Sequence, residues 1–175
     1  MGPMRRWLSA APIAAVTLLC LSFAAGMANG AETDAPTATA SGLPRFVSLK
    51  ATNANGRQGP GVEHRIDWIY ARPGLPMLLT AEDGPWRRVR DPDGAEVWMH
   101  ADNLDARRTV FVPDGQAVAL RRNPQSGATA LAMLAPGVVG ALTGCHGDWR
   151  RVSIGGRVGW VGKDDVWAAQ DCAGV

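Results

Sequence analysis

The chain has 175 residues and a nearly balanced charge, with 18 Lys and Arg against 16 Asp and Glu, and its apolar share is ordinary for a soluble globular protein. No basic run exceeds two residues, so the stripe of positive charge that non-specific nucleic-acid binding needs is missing. Six of the seven tryptophans lie beyond residue 60, in a chain with one tyrosine and three phenylalanines, a bias that suits small cores drawing much buried area from few positions.

Residues 1–30 read as an export signal. Met1–Arg6 is a short basic segment, Leu8–Ala25 is an Ala/Leu-rich apolar stretch, and Gly26 to Ala31 are mostly small. That order is the pattern of a secretory signal peptide, with cleavage after Ala28, Gly30 or Ala31. An uncleaved anchor is the alternative, but Ala-rich stretches interrupted by proline span a bilayer poorly. Bulky Leu19 before Cys20 argues against a lipoprotein signal, and no Ser or Thr precedes Arg5-Arg6 as a twin-arginine signal would require. With Arg5 and Arg6 removed, 16 basic residues face 16 acidic ones. The expected location is periplasmic or secreted, with no membrane contact after cleavage. Residues 31–43 lack strand or helix periodicity and read as a flexible linker.

From residue 44 onward the chain repeats itself. Trp86-Arg87-Arg88-Val89 recurs as Trp149-Arg150-Arg151-Val152 at an offset of 63, and Pro73-Gly74 recurs as Pro136-Gly137 at the same offset. Gly94 to Met99 answers Gly156 to Val161 at 62, and Asp102-Asn103-Leu104 answers Asp164-Asp165-Val166 at 62. Arg57 and Pro60 fall opposite Arg121 and Pro124 at 64. Single-residue drift at turns is what loops absorb between fixed strands. Two modules follow, 44–107 and 108–170, with a short tail at 171–175.

Each module reads as all-β. Leu75 to Leu79 and Val138 to Leu142 form strands entered after Pro-Gly. Trp86 to Arg90 alternates apolar and charged positions, the period of a half-buried strand. Asp91-Pro92-Asp93-Gly94 and Ser153-Ile154-Gly155-Gly156 are tight turns, so the runs that flank them form hairpins. No helical stripe is sustained, and short strands at this spacing indicate a small barrel or sandwich.

The ordered motifs resemble the bacterial SH3-like (SH3b) domain, in tandem and of a secreted proteobacterial type. The first module carries Asn55-Gly56-Arg57-Gln58-Gly59-Pro60, Pro73-Gly74, Gly84-Pro85-Trp86-Arg87-Arg88-Val89 and Gly94 to Trp98-Met99. The second keeps Arg121, Pro136-Gly137, Gly147-Asp148-Trp149-Arg150-Arg151-Val152 and Gly159-Trp160-Val161, but has Ala119 and Asn123-Pro124 where the first has Asn and Gly-Pro. The secreted type rests on Gly42 to Lys50. The resemblance implies two five-stranded SH3-like barrels acting as non-catalytic binding modules, commonly for cell-wall (peptidoglycan) peptide. The alternative is a scaffold for another envelope protein.

Trp86 and Trp149 are ligand candidates at the place where such a barrel presents an aromatic beside its groove, and filling the core is the other role open to them. Asn55 and Arg57 are candidates from the Asn-x-Arg-x-Gly-Pro turn, although Arg57 and Arg121 also suit clamps on turn carbonyls. Trp68 and Tyr70 are candidates because the second module has no aromatic counterparts, and Trp68 alternatively fills the space between barrels. Trp98 and Trp160 are expected in the cores. Cys145 and Cys172, the two cysteines left after signal removal, suggest a disulfide in an oxidising compartment. His64, His100 and His146 are scattered, no nucleophile or phosphate-loop motif occurs, and neither a metal, a cofactor nor catalysis is expected.

Overall fold

The computed structural model describes residues 42–170 and Cys172. The expected signal peptide and most of the expected linker lie outside the described residues. Leu43, placed in the linker because residues 31–43 lack strand or helix periodicity, is buried in the first core.

The first sheet contains β1 (Arg45–Leu49), β2 (Ala54–Arg57), β3 (Ile66–Tyr70), β4 (Pro76–Asp83), β5 (Trp86–Arg90), β6 (Glu96–His100) and β7 (Leu104–Asp105), with a 3-10 turn at Ala101–Asn103 before the last strand. Its order is β3-β2-β6-β5-β4-β1-β7. Strands β1, β4, β5, β6 and β7 supply the five expected, and the β2–β3 hairpin extends the sheet beyond them. The second sheet contains β8 (Thr109–Phe111), β9 (Val118–Arg121), β10 (Ala130–Leu134), β11 (Val139–His146), β12 (Trp149–Ile154) and β13 (Arg157–Gly162), in the order β10-β9-β13-β12-β11-β8. An isolated bridge between Phe111 and Trp167 takes the place of the β1–β7 pairing.

The turn chemistry sets both hairpins. Gly94 has φ +90°, and Gly155 and Gly156 have φ +55° and +78°, a left-handed pair that matches the twist of a two-residue hairpin loop. Asp91 shapes the first turn by accepting bonds from the backbone N–H groups of Asp93 and Ala95 at 3.0 and 2.9 Å.

Alternation along β6 buries Val97 and Met99 and leaves Glu96, Trp98 and His100 on the outer face. Along β13 it buries Gly159 and Val161 and leaves Trp160 outside. Trp98 and Trp160 are therefore not core residues: successive strand side chains point to opposite faces, and the smaller neighbours have the inner one. Outside, Arg88 and Arg90 bond the Glu96 carboxylate. Partial burial alone would raise that carboxyl, but the bonds from Arg90 and Arg88 outweigh it and hold Glu96 below the usual range.

The two cores solve one packing problem in opposite ways. In the first, Gly56, Tyr70 and Val97 meet, and a Cβ on Gly56 would lie 2.8 Å from both Tyr70 Cε2 and Val97 Cγ2. The corresponding positions in the second are Leu120, Leu134 and Gly159, and there a Cβ on Gly159 would lie 2.7 Å from Leu120 Cγ. Volume lost at one position reappears at its neighbour, as close packing demands.

Tyr70 is buried with its hydroxyl donating to Asp91 Oδ2 at 3.0 Å. Burial first, then the Asp91 charge, pushes the phenol well above its ordinary value. A folded-state pKa above the unfolded one gives stability that is complete below pH ~10 and falls as pH rises, because the unfolded chain ionises first. Tyr70→Phe should cost about 1–2 kcal/mol at neutral pH and should flatten the loss between pH 8 and 10.5. Urea midpoints at the two pH values would check this; equal alkaline losses in both proteins would refute it.

The barrels meet through Phe46 and Trp167, whose rings pack edge-to-face with centroids 5.1 Å apart. The Arg108 guanidinium lies 5.8 Å from the Phe46 centroid, and Arg72 donates to the Gly137 carbonyl at 2.6 Å. Trp68 is not the filler between barrels. It lies on the edge strand β3 with 57% of its surface exposed.

Behind the second barrel, Arg150 is buried and donates to the carbonyls of Ala169, Gly147 and Trp149. Ala168 and Ala169 are fully enclosed, and Cys145 is joined to Cys172 with the Cα atoms 6.3 Å apart.

Candidate groove beside Trp86

The outer face of the β5–β6 hairpin carries the candidate site. Strand register places Trp86 opposite His100 and Arg88 opposite Trp98, and the Trp86 and His100 rings meet edge-to-face at 5.7 Å. His100 precedes the 3-10 turn, where its Nδ1 accepts from the Asp102 N–H at 3.4 Å. The pairing of β2 with β6 brings Arg57 opposite Trp98, and so sets the Asn55 strand beside the Trp86–His100 pair.

A concavity of about 260 Å³ lies between these elements, lined by Asn53, Asn55, Arg57, Val62, Trp86, His100 and Asn103. Its walls are two aromatic rings, and its rim carries three side-chain amides. Arg57 is committed to structure, since one of its nitrogens donates to the carbonyls of Val62 and His64 at 2.8 and 2.7 Å. It holds the β2–β3 loop over the groove as a clamp. No acidic side chain lines this concavity. Amides that both donate and accept, beside ring faces, suit an extended peptide or a sugar.

The structure thus gathers Asn55, Arg57 and Trp86 in one place and leaves the other candidates elsewhere. Tyr70 is a core residue, because its position on β3 faces inward over Gly56, so it offers no ring to a ligand. Trp68 stands on the outer edge, outside the groove. Trp149 is half-buried but does not line the concavity of its own barrel. Asn53, Val62, His100 and Asn103 were missed by sequence reasoning. Hairpin register carried the signal for His100, since Trp86 and His100 each lie four residues along their strands from the Arg90–Glu96 pair that closes the hairpin.

Among the described residues no group of three or more His, Cys, Asp or Glu is placed to hold a metal, and no helix is long and apolar enough to cross a membrane.

Residues 50–106 and 114–168 each match the family of bacterial SH3 domains. No curated protein matches the chain. Solved structures with some likeness include NlpC2 from Trichomonas vaginalis, at 14% identity and a TM-score of 0.32 over 74% of this chain and 51% of that one. NlpC1 from the same organism follows at 12% and 0.33, over 75% and 48%. The chain spans about half the length of those structures.

Proposed function

Because the chain belongs to the bacterial SH3 domain family and carries two copies of that domain, we propose that it is an exported, non-catalytic binding protein whose first barrel recognises cell-wall peptide. The observation that carries this reading is the groove beside Trp86. A half-buried tryptophan packed edge-to-face against a histidine and ringed by Asn53, Asn55 and Asn103 offers apolar area together with paired donors and acceptors. Export is supported by the basic, apolar and small-residue order of residues 1–31.

Co-sedimentation with purified peptidoglycan sacculi tests the reading. The protein should pellet with the sacculi at modest salt, and Trp86→Ala should weaken retention about tenfold. Its melting transition should stay nearly in place, because Trp86 is on the outer face. A protein that remains wholly in the supernatant sinks the wall reading.

A second reading, a scaffold for another envelope protein without wall affinity, is favoured by the edge of the first sheet. Val62, Ile66, Trp68 and Ile69 are 75%, 40%, 57% and 63% exposed, and exposed apolar edge strands are partner sites or aggregation hazards. A crosslinking pull-down that recovers one dominant partner, lost on Trp68→Ser, would favour it.

A further inference from the structure

We propose that the second barrel has its own binding site, chemically distinct from the first groove, which takes a primary amine on an aliphatic stem such as a lysine or another diamino acid presents.

A concavity of about 460 Å³ opens beside β9 and β10, at the position in the second fold that the Trp86 groove occupies in the first. Four of its residues correspond directly by the repeat offsets. Ala117 stands for Asn53, Ala119 for Asn55, Arg121 for Arg57 and Asp165 for Asn103. A fifth change, Gly162 for His100, removes the ring opposite the tryptophan. Two asparagines and a histidine have given way to side chains with no hydrogen-bonding group, and Gln116 is the one side-chain amide left in the lining, so the three-amide rim of the first groove is not repeated here.

What replaces it has two parts. Ala117, Val118 and Ala119 make an apolar floor, and Met133 lies against it with 61% of its surface exposed. That is far more exposure than an unbranched apolar side chain needs for packing its own barrel. Asp114 and Asp165 put two carboxylates on the same concavity. Arg121 also lines the concavity, with one nitrogen donating to the Ala128 carbonyl at 2.9 Å as the counterpart of the Arg57 clamp, so two carboxylates stand against one guanidinium and the lining stays net negative. A ligand that fits must lay methylenes on the floor and end in a cation, as lysine does when its stem follows apolar surface and its head stays wet. A carboxylate-bearing ligand would meet a net negative lining, two carboxylates against the single Arg121 guanidinium, so charge complementarity favours the amine.

The proposal does not depend on what the first groove binds, and the test separates the two. Amide chemical shifts of the purified 15N-labelled protein would be followed while adding Nα-acetyl-lysine methylamide, its norleucine analogue or its glutamate analogue. The lysine derivative should shift the amides of Ala117, Ala119 and Asp165 saturably and leave those of Asn55 and Trp86 still. The norleucine and glutamate analogues should bind at least roughly fivefold more weakly, the scale of two solvent-exposed charge pairs. Asp114→Asn with Asp165→Asn should remove that preference while the amides of buried Val152 and Val161 stay unchanged, showing an intact fold. Equal binding of the lysine and norleucine derivatives, no shift in the second barrel, or a preference that survives the double substitution would each overturn the proposal.

Discussion

Gly159→Val is expected to destabilise the second barrel by about 3 kcal/mol, the upper part of the usual range for overpacking. Valine is the residue already present at the equivalent position, Val97, so the change looks harmless in an alignment of the two modules. It is not, because a Cβ at Gly159 would meet Leu120 Cγ at 2.7 Å and the Arg121 carbonyl oxygen at 2.8 Å. The side chain has some freedom to turn away, whereas the backbone oxygen does not. Adding Leu120→Ala should recover part of the loss by restoring the small-residue position that Gly56 provides in the first core. Urea unfolding of the three proteins followed by tryptophan fluorescence would measure it. A single variant as stable as the parent would show that the two cores are not reciprocally packed.

Cys172→Ser is expected to cost about 3 kcal/mol, the magnitude of a crosslink closing a loop of this size, here across a separation of 27 residues. Its effect should be concentrated at the end of the second module. With the tether gone, the Ala168–Ala169 segment is held mainly by the Arg150 bond to the Ala169 carbonyl and by the Phe111–Trp167 bridge. Release of that segment would leave a buried guanidinium short of an acceptor, a costly state for a charged group. Cys145→Ser should match Cys172→Ser, and a reducing agent should lower the parent's unfolding midpoint but neither variant's. A parent insensitive to reductant would refute the role assigned to the bond.

Much of the fold is legible in the amino-acid sequence. Offsets of 62 to 64 between ordered anchors divide the chain in two, and the glycines of the Asp91–Gly94 and Ser153–Gly156 turns place the β5–β6 and β12–β13 hairpins. The site is legible only in part. Asn55, Arg57 and Trp86 come from a motif, but three of the four missed lining residues lie in loops or turns. Val62, Asn53 and Asn103 reach the groove only because β2 crosses to pair with β6. Periodicity within one strand has no information about which strand lies beside it.

The tryptophans mark the same limit from another side. Hydrophobicity sends Trp98 and Trp160 inward, yet the strand alternation that buries Val97 with Met99 and Gly159 with Val161 turns both rings out. Trp68 and Tyr70, two positions apart, share a face of β3 by that same period, but Tyr70 ends buried on Asp91 and Trp68 ends on an open edge.

The sequence by itself determined the module count, the hairpin turns and the all-β class, since these rest on local spacing and on turn residues whose backbone needs are local. Tertiary structure alone decided which aromatic residues became core, groove or seam. Phe46 begins the first barrel and Trp167 closes the second, and their contact joins positions that no local pattern relates. It also brought Asp114 and Asp165, 51 positions apart in sequence, to one concavity of the second barrel. A side chain's role depends on the volume and charge its neighbours in space leave to it, and those neighbours come from strands far apart along the chain.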